Sequence, residues 1–529
     1  MTGENGMAQE LPAQYDYDRK RIFWGLVAMF LVYGTMGYFI QAIGIARPKI
    51  AAELDGMALY SWSLSIPGVV GAFVTLIYGK LSDIYGRRIM LLISVGFALL
   101  GSILSAVSTT FVFLIFATCI GSLGIGAIMP LVFAVVGDMF PPVERSRWVG
   151  LLQIPMGIAA LGGPVLGGWF ADTIGWEYFF WSTIPLLVLC FILIAVSIPQ
   201  PAHRRTKANI DIKGSLLMIV ASSTLIIGIS LGGVTYPWTS IHIIALLGVS
   251  VISWVFFIRV EYGAEEPILD PLVLQNRSFS TVAGATFLSS FGQIAILMYL
   301  PMFLQGVQGF SGTVSGLIIS PFSFLMAFVG VPIGFLLART RRYKWMYNLG
   351  YGILTVTMFG VILLSKDSPA WVSFSACALA GLGLGAIPTV NTMVVQNAVP
   401  KRLLGAAMGA VFFCLMMGVA ISPAILGAAE QAAYHKTLEA SLPGGLEHMA
   451  GLINSRVLLS EPDMTALEST FREMGSEGES LLQQTVEAIR SSMESSLRIV
   501  FWISALTMLL AFFLIVTIPE IPIGEGSGQ

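Results

Sequence analysis

The stretch Gly79-Lys80-Leu81-Ser82-Asp83-Ile84-Tyr85-Gly86-Arg87-Arg88 decides how this chain is read. It lies between two long apolar segments, Trp62–Tyr78 and Ile89–Val107. Its two glycines suit a tight turn. Asp83 is placed to cap the helix that follows. Lys80, Arg87 and Arg88 hold such a turn on the cytoplasmic face of a membrane, where short loops gather Lys and Arg. Any polytopic chain needs charged connectors, but the order G-x-L-x-D-x-x-G-R-R is more specific than that need.

Composition agrees. Of 529 residues, 56% are hydrophobic and 11% charged, and the mean hydropathy is +0.82. Soluble domains carry roughly a quarter charged residues, so this is a multi-pass membrane protein with little soluble mass. A net charge of −2 without a basic patch argues against nucleic acid as a partner. Cys119, Cys190, Cys377 and Cys414 all fall in apolar segments and read as small buried hydrophobes, so no disulfide, metal or cofactor is expected. No cleavable signal peptide is visible, and Met1–Lys20 reads as a polar tail.

A bilayer crossing takes about 20 apolar residues. That rule predicts spans at 22–45, 61–79, 89–108, 111–136, 148–171, 179–198, 213–232, 240–259, 279–304, 312–338, 345–364, 371–394, 405–429 and 499–518, fourteen in all. Basic residues alternate between connectors: Arg19–Arg21, Lys80 with Arg87 and Arg88, Arg145 and Arg147, Arg204, Arg205 and Lys207, Arg339 to Lys344, and Lys401 with Arg402. The short intervening connectors hold only Arg47, Lys49 and Lys366. Both termini are therefore expected in the cytoplasm of a cell whose inner membrane houses the chain. The segment 430–497 is the one long external connector. Its spacing of Met464, Leu467, Phe471 and Met474, then Leu481, Leu482, Val486 and Ile489, predicts an amphipathic hairpin interrupted near Gly475–Gly478. A solvated Ser/Glu-rich linker is the alternative.

The chain also repeats itself. Gly124-Ile-Gly-Ala-Ile128 returns as Gly383-Leu-Gly-Ala-Ile387, and Pro141 and Gly150 return at the same offset as Pro400 and Gly409. Spans 1–6 thus echo spans 9–14, leaving spans 7 and 8 as an insert. Two related six-helix halves with a midplane site between them make a transporter architecture. The expected division is a tail 1–21, a first half 22–198, an insert 199–278, a second half 279–518 and a tail 519–529.

The Gly79–Arg88 stretch resembles the signature loop of the major facilitator superfamily, and the central pair of extra spans resembles its fourteen-helix drug-exporter branch. The resemblance implies an all-α fold and an ionic latch between the halves built from Gly79, Asp83, Gly86, Arg87, Arg88, Asp138 and Arg145. Charge that merely sets topology is the alternative, but acids in basic connectors have no topological use. In span 5, Gly150 and then Gly163, Pro164, Gly167 and Gly168 resemble the superfamily's antiporter signature, which implies export. Ordinary small-residue packing is the alternative.

No Asp, Glu, Lys or Arg is found well inside any span. Phe39, Thr118 and Cys414 stand where the resembled branch usually has an acid and two arginines. Ion coupling normally keeps a titratable group in the membrane, so this pattern suits a hydrophobic or lipid-like cargo and leaves proton coupling open. Gln41, Gln153, Gln293 and Asn391 are the candidate cavity groups, with Tyr33, Tyr38 and Met156 as an apolar wall and Arg47 at the outer end of span 1. Interhelical bonding or core packing is the alternative for each. Small hydrophobic substrates, membrane lipids and protons are the expected partners, and a monomer is the expected state. An exporter leads; a proton-independent carrier of a neutral solute follows, then a non-transporting receptor. An enzyme is weakest, since no catalytic motif is present.

Overall fold

The structure is a computed structural model. It describes residues 19–54, 56, 59–198, 211–232, 236–264, 271–310, 312–400, 403–442, 458, 461–472 and 478–520. Several sequence features lie outside the described residues: Arg204, Arg205, Lys207, Lys401, Arg402, both tails and much of 443–477. What is described is almost wholly helical. In order come α1 (Arg19–Glu53), α2 (Tyr60–Tyr85), α3 (Arg87–Ala106), α4 (Phe111–Met139), α5 (Pro142–Leu151), α6 (Gln153–Trp169) and α7 (Glu177–Ser197). Next are α8 (Ile212–Leu231), α9 (Ile241–Gly263), α10 (Pro271–Gln275), α11 (Arg277–Ile294) and α12 (Leu300–Met302). Then follow α13 (Gly312–Phe328), α14 (Gly330–Thr340), α15 (Lys344–Ile362), α16 (Ala370–Ala398), α17 (Leu404–Ser441), α18 (Glu461–Arg472) and α19 (Gly478–Val516).

Twelve helical runs among the described residues are long and apolar enough to cross a bilayer. Helices α2 and α8 occupy the places of the second and seventh expected spans. The protein is therefore an all-α multi-pass membrane protein with twelve to fourteen apolar helices. The two halves of the chain form two packed groups. In one, α1 packs on α6 and α7, α3 on α4 and α7, and α2 on α4; in the other, α11 packs on α17 and α19, and α16 on α13 and α15. The α8–α9 hairpin leans on α2 and α17 through α8.

Three local outcomes differ from the sequence expectation. Helix α2 does not stop at Gly79 but runs to Tyr85, so the turn shrinks to Gly86 alone. Gly86 has φ +95°, a conformation that a Cβ penalises. Two expected spans are interrupted, α5/α6 at Leu152 and α13/α14 at Val329. Pro155 and Pro332 follow those breaks, and each removes a backbone bond to the preceding turn. The spans expected at 405–429 and 499–518 are parts of much longer rods, the 38-residue α17 and the 39-residue α19. Apolar residues such as Leu438, Ile489, Met493 and Leu497 stay fully buried along the extra turns, which is why the helices do not end where hydropathy falls.

Candidate functional site

The Gly79–Arg88 stretch lies where α2 meets α17, so one half of the chain touches the other there. Asp83 does not cap α3; the residue preceding that helix is Gly86, with no side-chain cap. Because α2 continues past Gly79, Asp83 is carried on the helix and reaches the start of α17. The first amides of a helix lack partners within it and form the positive end of its dipole. Asp83 accepts from both, with Gly405 N to Oδ1 at 2.9 Å and Ala406 N to Oδ2 at 2.8 Å. Arg87 pairs with Asp83 at 2.5 Å and donates through Nε to Asp138 Oδ2 at 2.9 Å. It also donates to Ser82 Oγ. One arginine thus binds the ends of α2 and α4 to the acid that grips α17. Arg88 does something else: it donates to the Ala195 carbonyl and ties α3 to the end of α7. Arg145 folds back on the Phe140 carbonyl, through Nε at 3.3 Å and Nη2 at 3.2 Å.

Glycines let this contact close. A Cβ on Gly79 would lie 2.5 Å from the Gly405 carbonyl oxygen and 3.1 Å from Gly409 Cα. A second crossing joins the halves where α5 meets α14. There a Cβ on Gly150 would lie 2.6 Å from the Gly330 oxygen, and one on Gly334 would lie 2.5 Å from the Ser146 oxygen. Gly150 therefore belongs to an inter-half seam at the basic end, apart from the other span-5 glycines. Between the two crossings, Phe133 of α4 stacks on Phe412 of α17 at 5.5 Å, and Gln396 Nε2 donates to the Phe133 carbonyl at 3.0 Å.

The antiporter-type segment serves α1. A Cβ on Gly163 would lie 2.8 Å from Gln41 Cβ, and one on Gly167 would lie 2.8 Å from Ala42 Cα. These two glycines bring α6 against the backbone of α1, while Gly168 is half-buried on the same helix. Pro164 sits within α6, which continues unbroken through it.

The candidate cavity groups do not converge. Asn391 is spent between helices of one half, accepting from Tyr347 Oη at 2.5 Å and donating to Thr286 Oγ1 at 2.9 Å. Gln153 is buried at the α5–α14 seam, where a Cβ on Gly330 would lie 2.7 Å from its Cγ. Gln41 lies at the α1–α6 crossing, and Gln293 points at Met326 Sδ, 4.0 Å away. Tyr38 bonds Ser182 Oγ at 2.9 Å, Tyr33 meets Phe133 edge-on, and Met156 lies over Gly37. Arg47 is half-buried inside α1, which runs on to Glu53. An apolar cavity of about 390 Å³ lies elsewhere, among α8, α9, α11 and α17, and none of these groups lines it.

The residues standing in for the branch's usual charges are packed as neutral groups. Phe39 packs tilted on Phe179 and edge-on to Phe180, and Thr118 donates to the Leu114 carbonyl at 2.9 Å. One acid escaped the sequence reading. Glu430 lies one residue past the expected end of its span, and α17 carries it on as a residue only 6% exposed. It is 26 residues beyond Leu404, about 39 Å along the rod, at the end of the bundle remote from the latch.

Residues 29–423 match the family model described as Major Facilitator Superfamily. The chain belongs to the major facilitator superfamily. The multidrug transporter protein MdtP of Bacillus subtilis is 30% identical over 405 residues, which are 76% of this chain and 73% of that one. Multidrug resistance protein 3 of the same organism is 29% identical over 427 residues, 78% of this chain and 82% of that one. An uncharacterized MFS-type transporter of Mycobacterium tuberculosis is 30% identical over 448 residues, 85% of this chain but only 65% of that longer protein. Among solved structures, the human organic anion transporter MFSD10 superposes with TM-score 0.59 at 14% identity over 96% of this chain and 100% of that one. The proton:xylose symporter XylE superposes with TM-score 0.58 at 13% identity over 96% of this chain and 99% of that one, and these two likenesses concern the fold.

In this superfamily member the sequence reading missed Gly330, Gly334 and Gly405 as residues at the contacts between the halves. The signal was present: Gly405–Gly409 and Gly330–Gly334 are both G-x-x-x-G pairs, the spacing that lets membrane helices approach closely.

Proposed function

We propose that this protein is a secondary active transporter, not an enzyme, that exports hydrophobic or amphiphilic compounds, drugs or lipids, by alternating access. The observation behind it is the Asp83 carboxylate seated on the Gly405 and Ala406 amides, with Arg87 and Asp138 completing the latch. Such a contact is short, polar and confined to one rim, so it can open without dragging charge through hydrocarbon. The basic connectors argue that this rim faces the cytoplasm, that both termini lie there, and that the conformation is closed inward. The two helix groups then rock as 22–198 and 279–518, with 199–278 as the insert, in the cell's inner membrane. Relatives named for multidrug transport and resistance support the cargo class.

The test is transport of a lipophilic dye and a labelled lipid in vesicles holding the purified protein, with and without a pH gradient. Outward-directed uptake in either case supports export. No movement of any hydrophobic probe, in protein shown to be folded, would favour a receptor. A second reading, a carrier independent of protons, is favoured by the neutral packing of Phe39 and Thr118. Sharp proton dependence would instead direct attention to Glu430, Asp83, Asp138 and Glu144.

A further inference from the structure

The apolar cavity beside the insert belongs to neither crossing. Its walls include Leu225 of α8, Trp254 of α9, Gly284 and Phe287 of α11, and Phe413 and Cys414 of α17. Depth can be read from each helix's end at the basic rim. Trp254 is nine residues from Gly263, Leu225 thirteen from Ile212, Gly284 seven from Arg277 and Cys414 ten from Leu404. At 1.5 Å per residue these lie about 10 to 20 Å into a hydrocarbon layer about 30 Å thick. The cavity is therefore at mid-depth, level with lipid tails.

Its volume of about 390 Å³ falls in the size range of ligand sites. The gap beside Gly284 is real, since a Cβ there would meet nothing nearer than Leu514 Cδ1 at 3.7 Å. No charged, hydroxyl or amide side chain lines it, so beyond the Trp254 indole and the Cys414 thiol a polar ligand has no partner at that depth. Leu225, Trp254, Gly284, Phe287 and Cys414 are half-buried rather than enclosed, so the cavity is open at its side. Aromatic faces shape it: Trp254 lies 6.2 Å from Phe413, and Phe287 lies 6.0 Å from Phe291.

We infer that this cavity is a lateral binding site for one acyl chain of a bilayer lipid, held between the inserted hairpin and the second half. The ligand class follows from depth and lining together: only a hydrocarbon chain is abundant there and asks for no polar partner. Because α8 also touches α2 and α17, the occupied site braces the hairpin against the latched seam. The site stands whatever cargo the transporter carries.

The test is photolabelling of the full chain in nanodiscs with a phosphatidylcholine bearing a mid-chain diazirine, followed by peptide mapping. Adducts are expected on the α11 segment around Gly284 and Phe287 and the α17 segment around Cys414. Gly284→Leu fills the cavity and should cut those adducts roughly tenfold, since several buried methylenes lose their place. Labelling of the lipid-facing Phe513 should not change. Cys414→Phe fills the cavity from the opposite wall and gives the same reading if the first variant fails to fold. Equal adducts in parent and filled variants, or none at the cavity, overturn the site. Displacement of the adducts by a small mole fraction of lipophilic dye overturns the lipid assignment and makes the cavity a cargo site.

Discussion

Two of the crossings between the halves are alike in packing and unlike in chemistry. At α2–α17, two continuous helices meet through Gly79, Gly405 and Gly409; at α5–α14, two interrupted ones meet through Gly150, Gly330 and Gly334. Asp83 stands four residues after Gly79, and Ala338 stands four after Gly334. The first seam therefore has an acid for the facing helix start, and the second has a methyl group. At the second, Arg147 instead lies over the Phe335 ring at 6.0 Å. The contrast teaches that the internal repeat fixes the approach of backbones, while the acid-to-amide grip is placed on one side only. The proline-linked breaks at Leu152 and Val329 make the α5–α14 seam the one with backbone freedom to bend.

The largest expected effect is at the charged seam. Asp83→Asn loses charge-assisted bonds of about 1.5–3 kcal/mol, so transport should fall roughly ten- to a hundredfold at unchanged membrane expression. Unchanged transport would remove the latch. Next, Gly334→Leu overfills the α5–α14 seam by about 1–3 kcal/mol, and a single cysteine at Thr75 should become more reactive to a water-soluble maleimide as closure fails. Equal reactivity in parent and variant would deny that this seam shares in closure. A sharper test is Ala338→Asp on the Asp83→Asn background. Glu144 sits in the first turn of α5, so a new acid meets a like charge there. Transport should stay as low as in Asp83→Asn alone, and a rescue would show the seams to be interchangeable.

Smaller effects lie away from the seams. Asn391→Leu strands the Tyr347 hydroxyl, so the melting temperature should fall by an amount matching about 1–3 kcal/mol, with the ranking of transported compounds intact. An altered ranking would return Asn391 to the cavity. Smallest is Lys366→Ala at the remote end. The hydrogen bond with Glu487 raises Lys366 above its ordinary pKa, but both side chains are about half exposed, at 50% and 54%. Transport and melting should both be unchanged.

Much of this was legible beforehand for a physical reason. Hydropathy marks what must sit in lipid, and it located the spans to within a few residues wherever a helix ends at the interface. It failed at α1 and α2, which run on to Glu53 and Tyr85, and at α17 and α19, whose extra turns are held by packing on protein. The grouping of Asp83, Arg87 and Asp138 was implied by the resemblance of Gly79–Arg88 to the superfamily's signature loop, and the structure brings the three together. The true partner of Asp83, a pair of backbone amides, carries no side-chain signature, so sequence assigned it the nearest helix start instead. The amides failed as cavity groups because residue type reports the need for a partner, not which one; Asn391 met its need inside one half.

Helix α17 spans 38 residues, about 57 Å, as a single rod. Its first turn is gripped by Asp83, and its last turns protrude past the bilayer with Glu430 and Tyr434 buried along them. A rod held at one tip is a lever at the other. An antibody fragment that clamps those last turns would act on the distant α2–α17 contact without touching it, which makes them a handle on the far end of the molecule.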